Sequence, residues 1–445
     1  MSNTLKLRGS LELLKTLLRR ISEGGDVKEL MEEARVLLKE LSPAEIILAE
    51  QQLVAEGIDV REIMRVCDLH LELVKDYLRG VELKDVPEGH PLDYLLREND
   101  YIIAQAELLG LYAAQLLKLA GASSTDALKK TLTELQGFLR DLYRKSRLHY
   151  RKIQMLIFPY IERRGFDAIP RVLWNKEDGV IRKIRELVDQ LNKILAEGSI
   201  DSGIIEKIAG DLNWIARELV DIAFREDKIL FPTTWILFSE GEWTVVHEIG
   251  EEIGYIVEAR GEWKPSAKPV YPYEVEANLT PEILEKLPAS VKSMVKEVKP
   301  DSYRIEKDSD LKLETGFLTE EEVEGIFKAL PLEVTYANID DRIRFYSKSM
   351  LSKGFVRTKT IIGRQLYYCH PPRLEALVRQ VVKQVKTGEK PYREFWTKQG
   401  DRIIRVLITP VTGRDGRIIG ALEVVEDLTE IVRNPEEVLK KIVVL

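Results

Sequence analysis

LIFP at residues 156–159 and ILFP at residues 229–232 are near-repeats, and each closes a long amphipathic pattern of helical period. The two helices read as equivalent members of one bundle. Ten residues before Pro159 stands His149, whereas ten residues before Pro232 stands Ile222. Working outward, long helical patterns are predicted near 91–119, 125–157, 170–197 and 202–230. Their short connections argue for antiparallel neighbours. Ser239 and Glu242 form a capping box for a shorter fifth helix.

Residues 10–80 read as three further helices. Ser42-Pro43 starts one, Gly57 ends it, and Asp59 with Glu62 opens the next. The segment WKPSAKPVYPYEV, within 258–280, is rich in Pro and aromatics and has no helix period. After Pro331 the texture changes to strand-like runs at Val334–Asn338, Ile343–Ser347, Tyr392–Lys398, Ile403–Val411 and Ile418–Val425. A helix opened by a Thr319/Glu322 capping box precedes them, and another at 373–386 interrupts them. The tail PEEVLKKIVVL reads as a short amphipathic helix. The fold class expected is therefore multi-domain, with an all-α N-terminal domain, a four-helix bundle and an α+β domain with a five-stranded antiparallel sheet. The boundaries drawn are 1–82, 83–257, a linker at 258–317, 318–432 and a C-terminal helix at 433–445.

A chain of 445 residues can bury two or three cores. Its net charge of −7 offers no broad attraction to phosphate, so nucleic acid is not an expected partner. No apolar run was found that reaches the roughly 18 residues of a bilayer span, and the N-terminus lacks an apolar signal core. Cys67 and Cys369 fall in different domains, which argues for a reducing compartment. The expected location is the cytoplasm, with peripheral attachment to the plasma membrane as the variant.

Several stretches resemble one bacterial and archaeal family, in which a domain of unknown function (number 438) precedes a hemerythrin-like HHE bundle and a PAS domain. SPAEIILAEQQLVAEGIDVREIMRVCDLH at 42–70 resembles the first part. GHPLDYLLREN at 89–99, HYRKIQMLIFPYIERRG at 149–165, VLWNKEDGVIRKI at 172–184 and ELVDIAFREDKILFP at 218–232 resemble the second. LETGFLTEEEVEGIFKALPLEVTYANIDDRIRFYS at 313–347, YYCHPPR at 367–373 and GALEVVEDLTEI at 420–431 resemble the third.

The resemblance implies a di-iron site of about five imidazoles and two bridging carboxylates, and this chain departs from it. His90 and His149 stand where the first two helices carry a His. Asp93 replaces a second His, and Ile153 and Gln154 occupy the positions of an expected acid. Glu177 replaces a His in Trp174-Asn175-Lys176-Glu177-Asp178. Glu226 and Asp227 keep the acids of the fourth helix, but Ile222 replaces its His. No di-iron centre is expected. His90, His149, Asp93, Glu177, Glu226 and Asp227 then allow two readings. One is a carboxylate-rich site for manganese or iron; the other is a former site closed by salt bridges and hydrogen bonds. A buried Glu177 without metal requires a proton or a cation, with Lys176, Arg151 and Lys228 nearest in sequence.

In the PAS-like region, Cys369 and His370 precede Pro371 and border the place of a PAS ligand cavity. Tyr336, Phe345, Tyr367, Trp396 and Arg405 are expected to line or flank it, for a small molecule or a haem. Cys67 and His70 lie on neighbouring turns of one predicted helix, without a second donor pair nearby. No nucleophile elbow, phosphate loop or kinase signature is present. The function expected is therefore a non-enzymatic sensory or regulatory protein, acting through a protein partner or a homodimer. The alternative is a metal-binding protein that handles oxygen, nitric oxide or iron.

Overall fold

The computed structural model describes residues 51, 56–57, 83, 85–121, 125–197, 201–276, 281–286, 298–350 and 357–443. The expectations for Ser42-Pro43, Asp59/Glu62, Cys67 and His70 lie outside these residues. The chain divides into two compact units, Met1–Arg304 and Ile305–Leu445.

In the first unit, α1 (Pro91–Gly121), α2 (Thr125–Lys152), α4 (Ala168–Glu197) and α5 (Ser202–Arg225) are the long helices. Each turns one apolar stripe inward. Ile102, Leu109 and Leu116 of α1 meet Leu132, Leu139, Ile184, Leu191, Ile208, Leu212 and Ile222 in one dry core. By length and composition α1 could also cross a membrane. Its core stripe, Leu92 through Leu116, is buried in protein instead.

The proline repeats do not end their helices. α2 passes through a π-helical segment, Ile153–Ile157, into α3 (Phe158–Arg163). α5 passes through another, Glu226–Leu230, into α6 (Phe231–Leu237). At the two exits, the Phe158 N–H bonds the Ile153 carbonyl and the Phe231 N–H bonds the Glu226 carbonyl, both five residues back. The next residue is Pro159 or Pro232, which has no N–H to give and whose ring would strike the carbonyl four residues back in a regular helix. A wider turn accommodates that ring and lets the helix continue. The hydrophobic period alone does not report this extra residue.

The fifth helix, α7 (Glu240–Ile253), starts at the Ser239/Glu242 capping box as expected. The segment after it lies against the bundle without helix. The Val270 N–H bonds the Gly241 carbonyl at 3.0 Å, and the Tyr160 hydroxyl donates to the Val270 carbonyl at 2.7 Å. A Cβ at Gly241 would stand 2.6 Å from the Lys268 carbonyl oxygen, so this close approach needs glycine. A short helix, α8 (Pro281–Lys286), follows.

The second unit begins with a small hairpin that the sequence did not announce, β1 (Leu311–Leu313) with β2 (Gly316–Leu318). Next comes α9 (Glu320–Ala329), capped by Thr319 and Glu322. The expected strands then follow as β3 (Glu333–Asn338), β4 (Ile343–Tyr346), β5 (Arg393–Gln399), β6 (Arg402–Thr412) and β7 (Ile418–Asp427). They form an antiparallel sheet in the order β4-β3-β7-β6-β5. Helix α10 (Pro372–Lys386) buries Val381, Val382 and Val385 and packs on β6 and β7. Two short helices, α11 (Thr429–Arg433) and α12 (Pro435–Lys440), end the described chain.

Candidate functional site

The polar centre of the bundle is built by all four long helical rods. α1 contributes Glu98 and Asn99, and α2 contributes His149 and Lys152. Gln154 comes from the first π segment, Glu177 from α4, and Glu226 with Asp227 from the second π segment. Glu98, His149, Glu177 and Glu226 are fully buried. The His149 ring lies between two carboxylates, with Nδ1 2.7 Å from Glu98 Oε2 and Nε2 3.0 Å from Glu226 Oε2. On its other side Glu98 Oε1 meets Lys152 Nζ at 3.0 Å and accepts from the Ile256 N–H at 2.9 Å. Lys152 also donates to the Gly254 carbonyl at 2.8 Å. The row Lys152–Glu98–His149–Glu226 therefore alternates in charge across the core.

Burial alone would lower His149, but the charges and bonds of Glu226 and Glu98 overcome it and raise the ring to about 9. Burial opposes ionisation of Glu98 too, yet the bonds and charges of His149 and Lys152 hold that carboxyl below its ordinary value. Glu177 behaves oppositely. Burial, and then the nearby charge of Glu226, push it well above the usual carboxylate range, against the amide of Gln154, which donates to Glu177 Oε2 at 2.6 Å. Asp227 is raised to about 7 by burial, although Asn99 Nδ2 donates to its Oδ1 at 2.8 Å.

Of the six residues singled out for metal, the structure joins His149 directly to Glu226, with Glu177 within electrostatic reach of both. His90 and Asp93 serve the start of α1. His90 Nδ1 accepts from the Leu92 N–H, and Asp93 accepts from the Gly89 N–H and pairs with Arg97 at 2.9 Å. The His90 ring is packed edge-on among Trp235, Trp243 and Trp263, at centroid distances of 5.2, 4.9 and 4.5 Å. Burial and neighbouring His247 lower it to about 4. Lys176 turns away from Glu177 to pair with Glu218 and Asp221, each at 3.0 Å.

Glu98 and Lys152 escaped the sequence reading. The signal was present: Glu98 falls in the same stripe as Leu95, Ile102 and Leu109, an acid in a core position. The pairing of Gln154 with Glu177 is also a matched exchange. An amide stands where an acid is expected, and an acid where an imidazole is expected, so the two bond each other.

These residues do not fit a pair of irons. The centre holds one imidazole, and both its nitrogens face carboxylates. Among the described residues no three His, Cys, Asp or Glu side chains are arranged to hold a metal ion. Glu177 Oε1, Glu226 Oε1 and the Tyr150 hydroxyl are buried without a protein partner, which marks the space beside the ring as polar.

In the second unit, the strand register places Tyr336 opposite Phe345 and Trp396 opposite Arg405. All four share one sheet face, on which Trp396 is half exposed and Arg405 pairs with Glu426 at 3.0 Å. Tyr367, Cys369 and His370 lie apart from them in sequence, on the turn Leu366–Cys369 and its cap. Tyr367 donates to Asp341 at 2.8 Å beneath the Arg379 guanidinium. His370 Nδ1 lies 3.2 Å from the Leu366 carbonyl, and the Cys369 thiol is exposed. The opposite sheet face carries a polar group absent from the sequence reading. Arg357 donates to Glu333, to Thr335 Oγ1 at 2.8 Å and to Glu423 Oε1 at 2.7 Å.

Comparison with known proteins gives three domain matches. The family of unknown function DUF438 matches residues 14–80, the hemerythrin HHE cation binding domain matches 90–234, and a PAS domain matches 323–429. No curated protein matches the chain. Solved structures resemble parts of it. A C-terminal domain from Streptococcus mutans is 26% identical with a TM-score of 0.27, covering 29% of this chain and 98% of that one. The PAS domain of a protein from Colwellia psychrerythraea is 15% identical with a TM-score of 0.21, covering 25% and 97%. A sensory box sensor histidine kinase from Vibrio cholerae is 13% identical with a TM-score of 0.19, covering 24% and 88%. The chain thus has the architecture its sequence resembles: a DUF438 segment, a hemerythrin HHE bundle and a PAS domain, in that order.

Proposed function

We propose that this protein is a regulatory sensor that catalyses no reaction. Its PAS domain receives the signal, its HHE bundle serves as a scaffold, and its output passes to a protein partner or a second copy of the chain. The presence of PAS and hemerythrin-like domains supports the sensory role. The observation that carries the mechanism is the attachment of α9. This helix buries none of its residues, and its capping box makes it self-supporting. Few contacts tie it to β4 and the segment that follows: Phe327 packs against Phe345 at 4.7 Å, and the Lys328 carbonyl accepts from the Met350 N–H at 3.0 Å. A helix held so lightly changes position when the edge strand moves, which is how a small shift in a sheet becomes a change of exposed surface.

Hydrogen–deuterium exchange on the full chain tests this reading, comparing wild type with Phe345→Ala. The expected result is faster exchange across 320–330 with β6 and β7 unchanged, together with an altered oligomer mass by light scattering. Unchanged exchange in α9 would overturn the coupling. Native mass spectrometry of the purified chain addresses the input, by looking for a retained small molecule.

A further inference from the structure

The bundle keeps the shape of a metal-binding fold while its donors are committed to one another. The geometry of His149 is decisive. Glu98 Oε2 faces Nδ1 and Glu226 Oε2 faces Nε2. A carboxylate oxygen only accepts, so between two ionised carboxylates both ring nitrogens carry hydrogen and the ring is a cation. Glu98 is held ionised by the Lys152 ammonium and the Ile256 N–H on its other oxygen. Lys152 is itself buried and anchored to the Gly254 carbonyl. Two buried cations thus stand against the two carboxylates Glu98 and Glu226. Glu177 is bonded by the neutral amide of Gln154, and the nearby His149 charge is already met by Glu98 and Glu226, so Glu177 fits as a neutral carboxylic acid. The high proton affinities of His149 and Glu177 agree with this assignment.

We infer that protons have replaced metal in this HHE domain: the His149 imidazolium, clamped by Glu98 and Glu226 and backed by Lys152, is the resident cation of the bundle, and the folded domain takes up no transition metal. A metal ion on His149 would have to take the place of hydrogen on one ring nitrogen, break that nitrogen's bond to Glu98 or Glu226, and displace a charge already balanced.

The inference is tested on the full chain produced in medium supplemented with iron and manganese. Nitrogen-15 histidine labelling, with His149 assigned by its loss in His149→Ala, should show two protonated ring nitrogens for this residue at neutral pH. Elemental analysis should find substoichiometric metal, and Mn(II) or Fe(II) should leave the wild-type unfolding midpoint unmoved. His149→Ala removes the imidazolium and leaves Glu226 and Glu177 without it, Glu98 keeping Lys152, so Mn(II) should raise the midpoint of that variant. One bare nitrogen on His149, one or two metal ions per wild-type chain, or a wild-type midpoint raised by metal would each overturn the inference, as would a folded His149→Ala that ignores Mn(II). If that variant fails to fold, the wild-type metal content and midpoint decide the matter alone.

Discussion

Raising the pH through the range in which His149 loses its proton should weaken the bundle by a calculable amount. The ring is held at about 9 against an ordinary 6.5, and each pH unit of such a difference is worth about 1.4 kcal/mol. The contribution is therefore about 3 kcal/mol. The folded state binds this proton more tightly than the unfolded chain. The contribution is complete below about 6.5, shrinks as pH rises, and is gone above about 9. Asp227, raised to about 7, loses its own contribution earlier, as pH rises from its ordinary 3.8 through that value. A variant is thus needed to isolate the ring. The assay is urea unfolding of wild type and His149→Gln at intervals from pH 6 to 10, followed by tryptophan fluorescence. Five of the six tryptophans, at 174, 214, 235, 243 and 263, lie in the first unit, so the signal reports mainly on the bundle. Wild type should lose about 3 kcal/mol more than the variant between pH 6.5 and 9. Parallel curves would refute the clamp.

Gln154→Glu replaces the amide donor facing Glu177 across a 2.6 Å contact with a second carboxyl group, and should cost about 1–3 kcal/mol in urea at neutral pH. Leu212→Ala opens a void in the dry part of the bundle, where the side chain is wholly buried; a loss of about 2–5 kcal/mol is expected by the same assay. Arg357→Ala removes the guanidinium between Glu333 and Glu423, and should cost about 3 kcal/mol, read as faster hydrogen exchange in β3 and β7. Gly420→Ala would put a Cβ 2.3 Å from the Ala337 carbonyl oxygen on the neighbouring strand, and should lower the midpoint of the second unit as followed by circular dichroism.

Period was the readable part of this chain. Alternation located the five strands to within a residue or two, because each has one face toward the interior. The two capping boxes marked helix starts, because their side-chain bonds are local. The register places Tyr336, Phe345, Trp396 and Arg405 on one sheet face. What alternation does not tell is which face a later segment covers, so the Arg357 group on the other side went unseen. In the bundle, His149, Glu177 and Glu226 were legible as leftovers of a resemblance. Glu98 was not, since it answers the charge of a buried imidazolium and matches no position of the metal-ligand pattern. His90 was misleading for a related reason: its aromatic neighbours at 235, 243 and 263 come from segments far along the chain.

The paired π turns at 153–157 and 226–230 carry a lesson for anyone laying this chain beside its relatives. Each is a single surplus residue lodged in an otherwise regular rod. A relative lacking that surplus would bring its side chains beyond the turn out of phase by about 100°, the angle one residue spans in a helix. Gap-free alignments across these two stretches will then assign inward residues to the outside and the reverse. Deleting one residue from either stretch would show the same rotation directly, as a bundle whose far ends no longer mesh.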